Sequence, residues 1–485
     1  MFSKLRDSYS FFSLFYNIYY TDFDTITPKE IQKLKQEVLD NGSISIKFMQ
    51  WYITKLINIE EDNQKYKNLI KEFEDIFDNC PYHSDEETNE MFKKSFGYHL
   101  NDVILEGTLK RIASGSIGQV YRATLIDGRD IAIKVRHPNI EELKNNQMLL
   151  INLITSLQGF SYFRNNLNLF MDIEDFMDNL NLQIDFKNEA FNNLLFYQTY
   201  RDYKKVIIPK IYYYSNDIII SEFCDGLYYH EIENQYIRRK VAINFVCFNL
   251  ESAVFNNFMH ADLHSRNWKV QENHRDSKII IYDFGICFKS VSPDRNRAFW
   301  EAIQDIDLER IIQDVDHLVQ SGGETVTFED LNELDFFKEQ KFEMSILMKK
   351  LRYIFVKKSL RVTKLFMNFM LWISLFEDVI KESGCFIKDE SKQNKNDITQ
   401  HQRASIIAYC ETAKCYPQVL QYMKEKYNNN TISNIFEYDN GDLEFSDPED
   451  LVFSEPEDLQ LSEPEDLQLS EPQDLQLSDV INKIL

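Results

Sequence analysis

No run of apolar residues in this chain is long enough to cross a bilayer. The longest, Leu365 to Phe376, falls well short of the roughly 20 residues a membrane helix needs and reads as a buried helix. Paired cysteines are missing as well. The seven present form no Cys-x-x-Cys pair and no zinc spacing. This excludes a zinc module and points to a reducing compartment, the cytoplasm favoured. Bases are in deficit, with 54 Lys and Arg against 78 Asp and Glu for a net charge of −24, so no nucleic-acid partner is expected. Most of that acidity is local: from Glu437 onward there are sixteen acids and one base, Lys483. The first 24 residues lack the arginine-rich, acid-poor composition of a transit peptide. Their aromatic stretch, Tyr9 to Tyr20, reads as an amphipathic helix, with a peripheral membrane contact as the alternative.

What is present centres on His260-Ala261-Asp262-Leu263-His264-Ser265-Arg266-Asn267, with Asp283-Phe284-Gly285 after a strand. An Asp and an Asn five positions apart, then a strand ending in Asp-Phe-Gly, suit phosphoryl transfer. Asp262 can orient or deprotonate a nucleophile, while Asn267 and Asp283 offer hard oxygen ligands to magnesium. Either motif alone is weak; in this order and spacing they reinforce each other.

The upstream half fits the same chemistry. Ile112-Ala113-Ser114-Gly115-Ser116-Ile117-Gly118-Gln119-Val120 looks like a loop that covers phosphates, because small residues let backbone N–H groups approach their oxygens. Residues 119–125 and 130–136 read as strands about an Asp127-Gly128 turn. The second strand carries Lys134, a cation placed to hold the α- and β-phosphates of ATP. Glu189, on a helix read over 181–200, is the carboxylate expected to fix it. A buried strand over 218–223 runs into Glu222-Phe223-Cys224-Asp225-Gly226, where Glu222 and Cys224 are placed to present backbone groups to adenine.

The order and wording of these motifs resemble the UbiB or aarF-domain (ADCK) family of atypical kinases. The resemblance is carried by Ala113 to Val120, by His260, Ala261, Asp262, His264 and Asn267, and by Asp283-Phe284-Gly285. It also covers Lys47-Phe48-Met49-Gln50, similar to the family's Lys-x-Gly-Gln, and Gln183-Ile184-Asp185, similar to its Glu-x-Asp. It implies an α+β, two-lobed protein-kinase-like fold with a β-rich N-lobe, a helical C-lobe and an N-terminal helical extension. It further implies ATP and Mg2+ as cofactors and a link to isoprenoid quinone (ubiquinone) biosynthesis, with a lipid or quinone-like partner. By the same resemblance Lys47, Gln50, Gln183 and Asp185 would join the extension to the kinase body.

Three departures stand out. Gly115 brings the phosphate loop closer to a glycine-rich one, and its backbone freedom is expected to let the loop sit nearer the phosphates. Gln183 is neutral where the family has a glutamate to pair with Lys47. Met49 is bulky where the family has glycine. Downstream, no Ala-Pro-Glu closes a peptide-binding ledge after Gly285, and Ala261 stands where many kinases place an arginine that clasps a phosphorylated loop. Both favour a small-molecule kinase or ATPase. A protein Ser/Thr kinase is the alternative, and a nucleotide-binding pseudokinase scaffold a further one.

The expected organisation is a helical extension over 1–100, an N-lobe over 101–225, a C-lobe over 226–428 and a tail over 429–485. Thr27-Pro28 reads as a helix start, with Ile31, Leu34 and Val38 at helical spacing. The tail repeats Ser446, Ser454, Ser462 and Ser470 at eight-residue intervals, each with a proline two residues later. So much proline and like charge implies disorder, with a basic partner and a solubilising repeat of no specific role as the alternatives.

Overall fold

The computed structural model describes residues 26–50, 80–138, 173–272, 277–289, 293–305 and 412–426, with isolated residues between them. The repeat tail, the apolar run at 365–376 and the N-terminal aromatic stretch lie outside these segments, apart from single residues.

The turn at Asp127-Gly128 joins β2 (Gly118–Thr124) to β3 (Asp130–Arg136). Gly128 has φ 87, an angle that glycine adopts without a side-chain clash. With β1 (Lys110–Ser114), β5 (Ile211–Tyr214) and β6 (Ile218–Glu222) these strands form an antiparallel sheet in the order β1-β2-β3-β6-β5. Ile131, Ile133 and Val135 of β3 are fully buried on one face, with Tyr121, Ala123, Ile218 and Ile220. The two-residue period of a strand then puts Lys134 on the other face. Helix α2 (Asp85–Phe96) packs Phe92 into the same core. The small lobe therefore takes in residues that the sequence pattern assigns to the extension.

Helix α1 (Pro28–Asp40) starts as expected, with Thr27 and Glu30 forming a reciprocal capping box and Pro28 in the first turn. Its Ile31, Leu34 and Val38 are buried with Ile44, Phe48 and Met49 of a helix over 43–50. They pack on α3 (Ile173–Ile184) and α4 (Phe186–Tyr200) through Phe176, Leu180, Ile184 and Phe186. Each such burial contributes roughly 1.5–3 kcal/mol. Two helices thus stand where one is expected over 181–200. Asp185 is the reason: its carboxylate accepts from the N–H groups of Lys187 and Asn188, capping a new helix rather than continuing the old one.

The large lobe is built on α5 (Gln235–Asn249), which continues as a π-helical stretch over Leu250–Phe255. Strand β7 (Phe258–His260) pairs with β10 (Cys287–Lys289), and β9 (Lys278–Ile281) lies between β8 (Trp268–Gln271) and β4 (Val206–Ile207). Trp268, Phe245, Phe248, Phe196 and Phe284 fill the core beneath them. Helix α6 (Pro293–Asp305) begins within a few residues of the end of β10. Buried Glu251 accepts from the N–H groups of Gln418 and Val419, at 3.3 and 2.9 Å, and so caps α7 (Pro417–Lys426). The fold is α+β and two-lobed, a β-rich small lobe and a mainly helical large one.

Candidate active site

The residues that converge on one cleft come from four elements. Lys134 on β3 reaches Glu189 on α4, its Nζ 2.7 Å from one carboxylate oxygen and 2.8 Å from the other. The same Nζ lies 3.3 Å from Asp283 Oδ1. One cation is thus shared between two carboxylates, the first buried and the second 40% exposed at the cleft. Burial works against the Lys134 charge, but Asp283 and Glu189 outweigh it and hold its pKa above that of an ordinary lysine. Burial raises the Glu189 carboxyl against the pull of Lys134. Burial would also raise Asp283, yet Lys134 first and then Lys47 bring it down to about 2. Asp283 adopts φ 54, a left-handed angle that a side chain tolerates only when its surroundings impose it.

Asp262 sits on the turn after β7. His260 is buried and neutral, its Nε2 3.0 Å from the Tyr282 carbonyl, because burial lowers its pKa. That carbonyl can only accept, so the ring's proton sits on Nε2, and Nδ1 is left to accept from the Asp262 N–H at 3.3 Å. Asn267 donates its Nδ2 to the Asp262 carbonyl at 2.7 Å, which pins the loop and leaves the Asn267 amide oxygen for other work. Asn267, Asp283 and the phosphates of a nucleotide are a hard-oxygen set of the kind magnesium takes, with few protein ligands. Among the described residues no group of three or more His, Cys, Asp or Glu is placed to hold a metal.

The loop expected to cover phosphates is the turn between β1 and β2. Gly115 N–H donates to the Gly118 carbonyl at 2.9 Å. Ala113 pairs with Val120 and Ser114 with Gln119 across the strands, and Ile112 stands 46% exposed beside them. A Cβ on Gly115 would meet nothing nearer than 3.7 Å, whereas one on Gly118 would lie 2.5 Å from the Val135 carbonyl oxygen. Gly118 is required for the close approach of β2 to β3, and Gly115 is not. Strand β6 ends at Glu222, whose N–H donates to the Lys210 carbonyl at 2.8 Å, while Cys224 accepts from Tyr282 Oη at 2.8 Å.

The extension meets this cleft directly. Ser116 Oγ donates to Gln50 Oε1 at 3.1 Å, both side chains buried, and the Lys47 charge acts on Asp283. Met49, fully buried, serves the apolar contact with the body. Gln183 is not Lys47's partner among the described residues: its Nε2 donates to Asp262 Oδ2 at 3.4 Å. Asp185 serves as the N-cap of α4.

Several residues carry no mark in the sequence pattern. Behind the loop, His137 Nε2 lies 2.9 Å from the Gly115 carbonyl, and its Nδ1 lies 3.0 Å from His83 Nδ1. Gln119 binds both the N–H and the carbonyl of His83, each at 3.1 Å. On α4, Asn192 donates to the Phe284 carbonyl at 2.9 Å. The asparagines beside Glu189 offer one usable signal, as polar residues in a helix with little outward face; nothing local marks His83.

A family model described as ABC1 atypical kinase-like domain matches residues 75–315, which include Lys134, Glu189, Asp262, Asn267 and Asp283. The "Probable serine/threonine-protein kinase abkC" of Dictyostelium discoideum is 28% identical over 252 residues, 51% of this chain and 36% of that protein. An "ABC1 family protein C10F6.14c" of Schizosaccharomyces pombe is 24% identical, over 60% of this chain and 56% of its own length. The "AarF domain-containing protein kinase 1" of Xenopus tropicalis is 26% identical, over 46% of this chain and 44% of its own. The chain thus spans between about a third and just over half of these relatives.

Proposed function

Residues 75–315 belong to the ABC1 atypical kinase-like family, and on that premise we propose that the chain is an ATP-dependent phosphotransferase or ATPase that uses magnesium. The observation that carries this reading is the shared Lys134 contact. Positions 134, 189 and 283 meet at one ammonium group, within 3.3 Å.

In this reading Lys134 binds the α- and β-phosphates and Glu189 holds it in place. Asn267 and Asp283 would hold magnesium, which when bound neutralises charge on the phosphates. Asp262 orients the acceptor hydroxyl or water and takes its proton. The turn at 115–117 covers the phosphates. Adenine lies against the segment 222–224. A lipid or quinone-like acceptor remains the expectation carried by the family resemblance. The path of the chain beyond Gly285 favours a small acceptor: it enters β10, pairs with β7 and reaches α6 at Pro293, leaving little length for a peptide-binding ledge. The names of two relatives, protein kinases, keep protein Ser/Thr kinase activity as the second reading.

The test is nucleotide-dependent thermal stabilisation together with ATP turnover, with and without quinone-like lipid vesicles or a peptide library. Asp262→Asn should keep the Mg-ATP shift and lose roughly 100-fold or more in turnover. Turnover at the wild-type rate in that variant would overturn the role given to Asp262.

A further inference from the structure

One ten-residue segment, spanning the end of α3 and the start of α4, reaches three catalytic elements that are distant in sequence. Glu189 reaches Lys134. Gln183 Nε2 donates to Asp262 Oδ2 at 3.4 Å. Asn188 Nδ2 is shared between the Leu182 and Gly285 carbonyls at 3.4 and 3.3 Å, and Asn192 Nδ2 donates to the Phe284 carbonyl at 2.9 Å. Gln183 and Asn192 are only 7% and 6% exposed. Gln183 also lies against the Asp283 turn. A Cβ built on Gly285 would be 3.3 Å from Asp283 Oδ1 and 3.5 Å from Gln183 Cγ.

Apart from Glu189, the chemistry of these side chains is uniform: Gln183, Asn188 and Asn192 each donate an amide N–H and add no charge. The cleft already holds Glu189, Asp262 and Asp283, with Lys134 and Lys47 as cations. A carboxylate at 183 would bring a further negative charge beside Asp262, and an apolar side chain would donate nothing. Packing alone does not account for the amide either. Gln183 Oε1 is buried without a partner among the described residues, which is destabilising, and methionine would fill the same volume without that loss.

We propose that Gln183 and Asn192 are positioning residues with separate duties: Gln183 orients the Asp262 carboxylate, and Asn192 holds the Asp283 turn in its metal-binding conformation. The proposal rests on the phosphotransferase reading. It implies that the helix carrying Glu189 and the two acidic motifs move as one body.

The two duties predict different signatures in the full chain. Asn192→Leu should weaken binding of a non-hydrolysable ATP analogue roughly tenfold or more in the presence of magnesium, as loss of a residue supporting a metal ligand does. Binding without magnesium should stay near wild type. Gln183→Met should leave analogue affinity unchanged and lower kcat roughly tenfold. In an Asp262→Asn background it should have no further effect, because the amide acts through that carboxylate. Should Gln183→Met lower the melting temperature, Gln183→Asn serves instead, keeping the amide but falling short of Asp262, with the same expected kcat loss. Parallel losses of affinity and kcat in both variants, in step with melting temperature, would reduce the amides to packing. Additivity of Gln183→Met with Asp262→Asn would overturn the Gln183 duty. Full turnover in Asp262→Asn alone would instead strike the phosphotransferase reading, and the magnesium-dependent binding of Asn192→Leu would still test the Asn192 duty.

Discussion

Two buried polar clusters use opposite faces of the β2–β3 hairpin. Cross-strand register puts Gln119 opposite Val135 and Tyr121 opposite Ile133 on one face, and Val120 opposite Lys134 on the other. The first face carries His83, His137, Thr88, Gln119 and Tyr121, joined by hydrogen bonds. In it the Gly115 carbonyl can only accept, so His137 keeps its proton on Nε2 and accepts at Nδ1 from His83. The second face carries Lys134, with two carboxylates on one ammonium. The histidines of the first cluster are uncharged, its edge is the Asp85 carboxylate that accepts from Tyr121 Oη at 2.9 Å, and its bonds hold the β1–β2 turn to α2. The second keeps one carboxylate partly exposed. The two clusters differ both in charge and in burial: the histidine cluster is inside the lobe, whereas Asp283 stands 40% exposed.

The hardest blow to this contrast is Lys134→Met. It should abolish the Mg-ATP thermal shift and leave Glu189 and Asp283 without their shared cation. Breaking a buried pair from one side costs about 3–5 kcal/mol where the remaining charge stays buried, reduced here because Asp283 is partly exposed and Glu189 takes up a proton readily. Urea unfolding of the variant at neutral pH measures the loss. An unchanged midpoint and an intact nucleotide shift would place the cleft's chemistry elsewhere.

Acidification should strike the other face. Burial first, then the neighbouring His137 and Arg111, lower His83 to about 4, against the opposing pull of Glu87 and Asp85. A histidine with a depressed folded pKa binds fewer protons than its unfolded form. Its contribution is therefore complete above the unfolded value of about 6.5 and is lost as pH falls through about 4. The full effect is on the order of 3 kcal/mol. Unfolding midpoints compared at pH 7 and pH 4.5 should show the loss in wild type and a flatter profile in His83→Asn. Equal slopes in the two proteins would remove His83 as the source of the acid sensitivity.

The finest test separates the two loop glycines. Gly118→Ala forces a Cβ against the unyielding Val135 carbonyl and should cost about 1–3 kcal/mol. Gly115→Ala has room and should stay within about 0.5 kcal/mol. Melting temperatures check both, and a larger loss at 115 than at 118 would contradict the close approach of β2 to β3 at Gly118.

Much of the cleft is legible in order along the chain. Lys134 stands out because a charged residue after a short apolar run has no packing reason to be there. Asp262, Asn267 and Asp283 stand out because their spacing comes from one loop and one strand. Asp185 misleads, since its capping role depends on where α3 ends, and the residue pattern runs straight through it as one helix. The close approach that requires glycine at 118 is not legible, because it depends on which backbone lies opposite.

The sequence by itself determined local matters: the Asp127-Gly128 turn, the Thr27-Pro28 helix start, the alternation that faces Lys134 away from the apolar core, and the order of the motifs. Those are set by backbone angles and periodicities within a few residues. Tertiary structure alone decided which groups meet. Gln183 pairs with Asp262 rather than Lys47, Asn192 holds the Phe284 carbonyl, and two histidines 54 positions apart share one hydrogen bond behind the β1–β2 turn. Such contacts depend on how helices and sheet pack, and a hydrogen bond about 3 Å long is decided by shifts far smaller than any sequence pattern encodes.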